Sequence, residues 1–206
     1  VLVQTGAGQQ AGYSDELYLA KGAQIVSASD LFQQAHTILQ VRTYGANPEG
    51  KSDLENLRPE QTVIGFTDAL DRSDRLSALA DCGVTLLSME LMPRITRAQS
   101  MDALSSMATI AGYKAVLMAA DRLPRIFPLL MTAAGTLAPA RVLVIGAGVA
   151  GLQAIATAKR LGARVSAYDV RAAVKEQINS LGAEFVELEI DMADSEDAGG
   201  YATVQD

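Results

Sequence analysis

The chain has 206 residues, of which 49% are hydrophobic and 20% are charged, and its formal net charge at pH 7 is −7. These proportions are ordinary for a globular protein of one or two domains, and the acidic balance excludes a nucleic acid as the expected partner. One cysteine excludes an intrachain disulfide, and one cysteine with one histidine argues against a zinc site. No run approaches about 18 uninterrupted apolar residues, so we expect no transmembrane segment in this chain.

Strand-like and helix-like segments alternate through the first half of the chain. The strand candidates are residues 1–4, 23–27, 37–41, 62–66 and 84–88. The helix candidates are residues 15–21, 28–35 and 72–82, and residues 42–59 form a polar loop with at most one short helical turn. His36 is interpreted as a surface or packed residue of a helical stretch. The alternation predicts a mainly parallel sheet with helices on its faces.

A long helix is predicted over residues 101–120, because apolar side chains recur there near helical spacing. Asp102 near its start suits the helix dipole. A second, short helix is predicted over residues 126–133, and the Gly- and Pro-containing segment that follows is typical of a domain boundary. The predicted domains are an N-terminal α/β domain (flavodoxin-like, truncated) over 1–135 and a second domain over 136–206.

A glycine motif in the second domain carries the clearest functional signal. The short apolar run 142–145 enters the sequence Gly146-Ala-Gly148-Val-Ala-Gly151, and an alanine-rich helical pattern follows. This order is the one that a dinucleotide-binding βαβ unit needs. There Gly146 makes the tight turn, Gly148 lets the backbone approach a pyrophosphate, and Gly151 lets the helix pack close to the sheet. The helix N-terminus then offers unpaired N–H groups to the phosphates.

A second apolar run ends at Asp169, close to the spacing of about 20 residues expected for the acidic residue of this motif. A carboxylate there accepts hydrogen bonds from ribose hydroxyls and repels a 2′-phosphate, which favours NAD(H) over NADP(H). Arg171 is the one feature that softens this preference. A Gly-rich turn in some other α/β protein is the alternative, which the flanking context disfavours. After Asp169 we predict a helix ending at Gly182, a third strand over 184–190 and an acidic tail over 191–206.

A polar, Arg-rich segment precedes the long helix. Arg94, Gln99, Asp102 and Ser105 crowd together there with other polar residues. Such a loop can place donors near a ligand while Asp102 pairs with an arginine to hold the loop's shape. From spacing alone, however, a capped helix start with a solvated cluster of charges is the favoured interpretation.

The chain resembles a known family over nearly its whole length. Residues 89–116, 132–163 and 168–185 closely resemble the NAD(H)-binding component (alpha subunit, domain I) of proton-translocating nicotinamide nucleotide transhydrogenases, and residues 1–88 do so more loosely. The pattern RxxxxQxxDxxS matches the family's loop near the nicotinamide and is more specific than the glycine motif. The fold that this implies is α/β with two βα-type subdomains, the second a partial Rossmann dinucleotide-binding fold with a parallel sheet.

The resemblance implies a reaction and a role for each matched residue. NADH bound here would pass hydride to NADP⁺ held on a partner domain, coupled to proton movement through a membrane-spanning component. Gln99 would contact the nicotinamide side of the site, Arg94 and Asp102 would form a supporting ion pair, and Ser105 would help anchor the carboxamide. The implied cofactor-binding residues are Gly146, Gly148, Val149 and Gly151 at the pyrophosphate, and Asp169 with Val170 and Arg171 at the ribose.

The resemblance also implies a homodimer, peripheral on the cytoplasmic or mitochondrial matrix face of an energy-transducing membrane. Only one mononucleotide half of the dinucleotide fold lies within the chain, so we expect a fragment that binds cofactor weakly and cannot complete the reaction alone.

Two other functions compete with this interpretation. Alanine dehydrogenase shares the two-domain design and the glycine motif, but its chemistry needs a lysine and a histidine. The corresponding places here are Val41-Arg42-Thr43-Tyr44 and Ile64-Gly65-Phe66-Thr67, which contain neither. The third hypothesis is a non-catalytic nucleotide-sensing module.

Overall fold

The computed structural model describes residues 1–71, 73–93 and 95–187 of the chain. These residues fall into two compact units, the first ending at Asp102 and the second beginning at Ala103. Both units are built from parallel strands and helices, which confirms the predicted α/β class. The predicted boundary between residues 135 and 136 stays a prediction.

The first unit contains two small parallel sheets. In chain order its elements are β1 (Leu2–Gln4), α1 (Asp15–Leu19), β2 (Gln24–Val26), α2 (Ala28–Gln34), β3 (Thr37–Arg42), β4 (Thr62–Phe66), α3 (Ser73–Asp81) and β5 (Thr85–Ser88). Strand β1 pairs with β2, and the other three strands form a sheet in the order β3-β4-β5. The polar loop after β3 contains a 3-10 helix, Pro48–Glu55. The five predicted strands are therefore all present.

Alternating burial explains the β3-β4-β5 sheet. Ile38 and Val63 are buried side by side at paired positions of β3 and β4. His36 is exposed and lies in the connection between α2 and β3, where its carbonyl accepts a hydrogen bond from the Thr62 N–H at 3.0 Å. Its predicted placement in a helix was wrong, because the helix ends at Gln34 and the chain extends at Ala35 to join the sheet.

The second unit is built around a three-stranded parallel sheet. Its elements are α4 (Ala103–Arg122), β6 (Leu130–Thr132), β7 (Gly135–Leu137), β8 (Arg141–Ile145), α5 (Val149–Arg160), β9 (Arg164–Tyr168), α6 (Lys175–Ser180) and β10 (Glu184–Phe185). The parallel sheet has the order β10-β9-β8. Its core is a cluster of small and branched apolar side chains that includes Ile155, Ala158, Ala167 and Ile178, each fully buried. Successive strands that add to one side of β8 are the arrangement that the glycine motif predicts.

A hairpin replaces the short helix predicted over residues 126–133. Strands β6 and β7 pair antiparallel, from Thr132 with Gly135 to Leu130 with Leu137. The Thr132 hydroxyl accepts the Ala134 N–H at 3.3 Å and donates to the Gly135 carbonyl at 3.2 Å, which fixes the turn. That prediction was wrong because threonine favours extended backbone and its hydroxyl closes a local turn that apolar spacing does not reveal.

The third strand of the second sheet is short. Strand β10 pairs with β9 only over Glu184–Phe185, so the prediction of a strand was wrong at residues 186 and 187. The rest of that prediction, residues 188–190, and the predicted acidic tail, residues 191–206, lie outside the described residues.

Helix α4 packs along α5 through a close backbone approach. Gly112 is buried, and a Cβ built there would lie 2.1 Å from the carbonyl oxygen of Ala150 in the first turn of α5. Among the described residues, α4 is also the one helix whose length and apolar composition would suffice to cross a membrane. Within the described residues 11% of this apolar stretch is buried, and its buried residues are Gly112 and Val116.

We expect Gly112→Ala to destabilise the second unit by about 1–3 kcal/mol, because the added methyl group forces α4 away from the Ala150 backbone. Urea unfolding monitored by circular dichroism measures the change. Ala111→Ser, on an exposed position of the same helix, is the control and should stay within about 0.5 kcal/mol of the wild type. Equal stability of Gly112→Ala and wild type would contradict the close approach.

Candidate nucleotide-binding site

The turn after β8 has the geometry that the first glycine of the motif predicts. Gly146 has a φ of +90°, in the left-handed region that favours glycine. Its N–H donates to the Tyr168 carbonyl at 2.8 Å, which ties the turn to the end of β9. The chain then enters α5 at Gly148, the N-cap residue of that helix. The turn and the end of β9 therefore form one edge of the unit.

The second and third glycines of the motif differ in their surroundings. A Cβ at Gly151 would lie 1.8 Å from the Gly146 carbonyl oxygen, so only glycine lets α5 pack this close to the turn. Among the described residues, a Cβ built at Gly148 meets no heavy atom within 4 Å beyond its two chain neighbours, and the backbone there, with φ −73° and ψ −167°, is extended. The fold thus requires Gly151, whereas Gly148 leaves open space in which a ligand can approach the backbone.

Helix α5 directs its N-terminus toward this turn. No side chain caps its first turn, and no acidic residue lies in that turn. Val149, its first residue, is 45% exposed. Unpaired N–H groups and the positive end of the helix dipole suit an anion such as a diphosphate.

At another glycine-rich turn, after β1 in the first unit, an acidic side chain of the protein takes a backbone donor of the turn. The Asp15 carboxylate accepts the Gly6 N–H at 2.9 and 3.2 Å. A Cβ at Gly8 would lie 2.5 Å from the Tyr18 hydroxyl oxygen. Helix α1, which follows, has five residues and begins with two acidic ones. This turn repels anions, so the Gly146 turn is the better candidate for a phosphate site.

Asp169 lies just beyond β9 and contacts the Gly146 turn. Its Oδ2 accepts the Ala147 N–H at 2.6 Å, and its Oδ1 accepts the backbone N–H of Arg171 at 2.8 Å. The Arg171 guanidinium adds two bonds, from Nε to Oδ1 at 2.9 Å and from Nη2 to Oδ2 at 3.0 Å. The structure therefore brings Asp169 and Arg171 together with the glycine turn, with Val170 between them in sequence. Their binding of ribose stays a prediction.

The environment of Asp169 keeps its carboxylate ionised. Burial is the largest single influence on the pKa of Asp169 and raises it. The hydrogen bonds from Arg171 and Ala147, with the positive charge of Arg171, together outweigh burial and hold this pKa below its ordinary value. A charged acceptor therefore lies beside the glycine turn at neutral pH.

Sequence reasoning missed a polar cluster at the carboxyl ends of β4 and β5. Oε1 of Glu90 accepts the Thr67 N–H at 3.0 Å, the Thr67 hydroxyl at 2.7 Å and the Ala69 N–H at 2.9 Å. Asp68, between the two N–H donors, has a φ of +58°. Successive N–H groups around such a residue form an anion-binding concavity, and here Glu90 fills it. Burial raises the pKa of Glu90, but these hydrogen bonds outweigh burial and lower it.

We expect the free energy of unfolding to fall as the pH drops below about 4.5. The carboxylates of Glu90 and Asp169 are protonated less readily in the folded state than in the unfolded chain. The stabilisation from these lowered pKa values is complete above their ordinary values and is lost as the pH falls through the lowered ones. Urea unfolding at several pH values between about 3 and about 7 measures the free energy of unfolding of the wild type and of Glu90→Gln. The variant should show a shallower decline, and an identical decline would contradict the role of Glu90.

An amino-acid dehydrogenase would carry its lysine and histidine within residues 41–44 and 64–67. Two residues of these segments have structural roles here. Arg42 donates from Nε to the Ala46 carbonyl at 3.1 Å, and its Nη2 donates to the same oxygen. Thr67, after β4, is fully buried and bonded to Glu90. Both positions hold the loops at the sheet edge, and neither presents a proton-transferring group.

The residues predicted for hydride transfer are divided between the units. Gln99 lies in the 3-10 helix Thr96–Met101, and its carbonyl accepts the Asp102 N–H at 3.2 Å, which closes the turn before α4. Ser105 lies in the first turn of α4, in the second unit. Arg94 lies outside the described residues, so the predicted Arg94–Asp102 ion pair does too. The roles of these four residues stay predictions.

Comparisons with known proteins agree with the resemblance. Residues 1–111 match the family described as alanine dehydrogenase/PNT, N-terminal domain, and residues 115–202 match its C-terminal domain. The NAD(P) transhydrogenase subunit alpha of Cereibacter sphaeroides is 49% identical over 203 residues, 98% of this chain and 38% of that protein. An alanine dehydrogenase of Mycolicibacterium smegmatis is 30% identical over 174 residues, 82% of this chain and 45% of that protein.

A solved transhydrogenase structure has the same fold. The transhydrogenase from Sinorhizobium meliloti superposes with a TM-score of 0.85 at 50% identity, over 92% of this chain and 53% of that chain. The chain thus spans about half or less of the length of the relatives that it matches. The chain belongs to the alanine dehydrogenase/PNT family, and within that family it is more similar to transhydrogenase alpha subunits than to alanine dehydrogenase.

Proposed function

We propose that this chain is the NAD(H)-binding component of a proton-translocating NAD(P) transhydrogenase. One observation carries the proposal: the open backbone at Gly148 and the ionised Asp169 lie on one edge of the second unit, joined through the Ala147 N–H. A diphosphate fits the first of these features and a ribose diol fits the second. The similarity to transhydrogenase alpha subunits supports the same function.

In the proposed reaction the side chains position the cofactor and transfer no proton. The nicotinamide supplies the hydride, which passes to NADP⁺ on a partner domain. The glycine turn and α5 hold the diphosphate, and Asp169 holds the ribose diol, with Val170 and Arg171 beside it. Gln99, Arg94, Asp102 and Ser105 position the nicotinamide end and exclude water. Because hydride moves directly between two rings, the protein contributes positioning and no acid or base.

The proposed partners are the NADP(H)-binding domain, the membrane-spanning component that carries the proton, and a second copy of this chain. The proposed location is the cytoplasmic or matrix face of an energy-transducing membrane. The exposed β6-β7 hairpin supports self-association, since Met131 is 77% and Leu137 54% exposed on it. The similarity to a subunit named alpha supports an assembly of several components.

Titration of the chain with NADH and with NADPH tests the proposal. We expect NADH to bind more tightly, because an ionised carboxylate at the ribose repels a 2′-phosphate. Asp169→Ala should weaken NADH binding by about 1–2 kcal/mol, roughly 5- to 30-fold, through the loss of charged hydrogen bonds. Asp74→Ala, an exposed acidic position of α3 in the first unit, is the control and should bind as the wild type does. An unchanged NADH affinity in Asp169→Ala would contradict the ribose assignment.

Two alternatives make different predictions. Alanine dehydrogenase activity is disfavoured because residues 41–44 and 64–67, the places where its lysine and histidine are expected, contain neither. A nucleotide-sensing module would bind NADH without passing hydride on. Mixing the chain with a transhydrogenase NADP-binding component, NADH and an oxidised NADP analogue separates these functions, because only the transhydrogenase reduces the analogue.

A further inference from the structure

We propose that Arg171 sets the cofactor discrimination of the site, because its guanidinium competes with the ribose diol for the Asp169 carboxylate. The inference rests on the proposed function and concerns which cofactor the site prefers, and by how much. Within the described residues Asp169 accepts four hydrogen bonds, two from backbone N–H groups and two from the Arg171 side chain.

The two kinds of donor are distributed evenly over the carboxylate. Each oxygen accepts one backbone N–H, from Ala147 on Oδ2 and from Arg171 on Oδ1. Each oxygen also accepts one guanidinium N–H, Nη2 on Oδ2 at 3.0 Å and Nε on Oδ1 at 2.9 Å. A carboxylate has about four lone-pair positions, so this set fills it. The backbone donors orient the carboxylate, and the guanidinium takes the positions that remain.

A ribose diol needs the positions that the guanidinium holds. Its 2′- and 3′-hydroxyls are two neighbouring donors, as the Nε–H and Nη2–H of an arginine fork are. The backbone N–H groups of Ala147 and Arg171 belong to the turn and the strand end, so they remain when the side chain of Arg171 moves. A diol that reaches Asp169 therefore replaces the guanidinium, and the affinity for the diol is reduced by the strength of the ion pair that it breaks.

The positive charge of Arg171 also reduces the preference for NADH over NADPH. Asp169 alone would repel a 2′-phosphate strongly, but the paired Arg171 neutralises it at 2.9 Å. Both side chains are largely shielded from solvent, at 13% exposure for Arg171 and 5% for Asp169, so water screens this pair weakly. Arg171 thus lowers the affinity for an unphosphorylated ribose and reduces the penalty on a phosphorylated one.

Replacement of Arg171 measures the effect. Arg171→Met keeps the backbone N–H and a side chain of similar length but removes the fork. We expect NADH to bind about 5- to 10-fold more tightly and NADPH no more tightly than to the wild type, so the preference for NADH rises by at least that factor. Arg171→Lys, which keeps a charge without the fork, should lie between. Arg164→Met, an exposed arginine at the other end of β9, is the control and should leave both affinities unchanged.

A second measurement uses the wild-type chain, so it does not depend on the folding of a variant. Because Asp169 accepts the Nε–H of Arg171 at 2.9 Å, we expect this proton to exchange slowly with solvent in the unliganded chain. We expect saturating NADH to accelerate this exchange, observed in ¹⁵N NMR spectra in which the Arg171 resonance is assigned on the wild-type chain. NADH binding that is unchanged or weaker in Arg171→Met, or an Nε–H exchange that NADH leaves unaltered, would overturn the inference. Failure of the wild type to bind NADH would instead contradict the proposed function, and the inference with it.

Discussion

Gly148→Ala is expected to weaken NADH binding by about 2–3 kcal/mol, roughly 30- to 150-fold, without changing the stability of the fold. The added methyl group meets no atom of the described residues within 4 Å beyond its two chain neighbours, and the backbone at Gly148 is extended, so an alanine fits there unstrained. The same methyl group occupies the space through which a diphosphate must approach the N-terminus of α5. Calorimetric titration with NADH, beside thermal unfolding of the same sample, measures both quantities.

Gly151→Ala is the matched variant in the same motif, and it should behave in the opposite way. Its methyl group would lie 1.8 Å from the Gly146 carbonyl oxygen, so α5 must shift away from the turn and the second unit should lose much of its stability. A stable Gly148→Ala that binds NADH as tightly as the wild type would show that no ligand approaches this backbone. A stable Gly151→Ala would contradict the packing itself.

The contrast between these glycines shows what a sequence motif can predict. The motif predicted β8, α5 and β9 because its periodicity and its glycines are local signals, and the structure confirms all three. It gave all three glycines a role, but it could not separate Gly151, required by the fold, from Gly148, which the fold leaves free. That distinction depends on the distance between a helix and a turn, which only the folded backbone contains.

Contacts between distant segments explain most of what the sequence did not predict. In the sequence, Gly112 is an ordinary glycine that weakens a helix. Only the structure shows that the backbone of Ala150 packs against it. Glu90 is a single acidic residue in a polar segment, and its partners, Thr67 and Ala69, are more than 20 residues away. Arg171 was recognised as a residue that softens cofactor preference, but the two bonds that its guanidinium makes to Asp169 follow from side-chain geometry.

Gln99→Ala and Asp102→Ala are expected to slow hydride transfer by about 100-fold while NADH affinity changes by less than about threefold. The reason lies in the proposed roles. The diphosphate and ribose contacts supply most of the binding, whereas the nicotinamide must lie within a small distance of the acceptor ring for hydride to pass. A misplacement of about 1 Å affects the rate far more than the affinity. Stopped-flow reduction of an oxidised NADP analogue, with a transhydrogenase NADP-binding component present, measures the rate.

The split between rate and affinity distinguishes positioning from simple binding. The hydrogen bond that closes the turn before α4 joins the backbone groups of Gln99 and Asp102 and remains in both variants, so a loss of rate is assigned to the missing side chain. Gln33→Ala, at an exposed position of α2, is the control and should leave both quantities unchanged. Equal losses of rate and affinity would mean that these residues only hold the cofactor. Unchanged rates in both variants would remove this segment from the hydride-transfer site, because a positioning residue acts on the rate first.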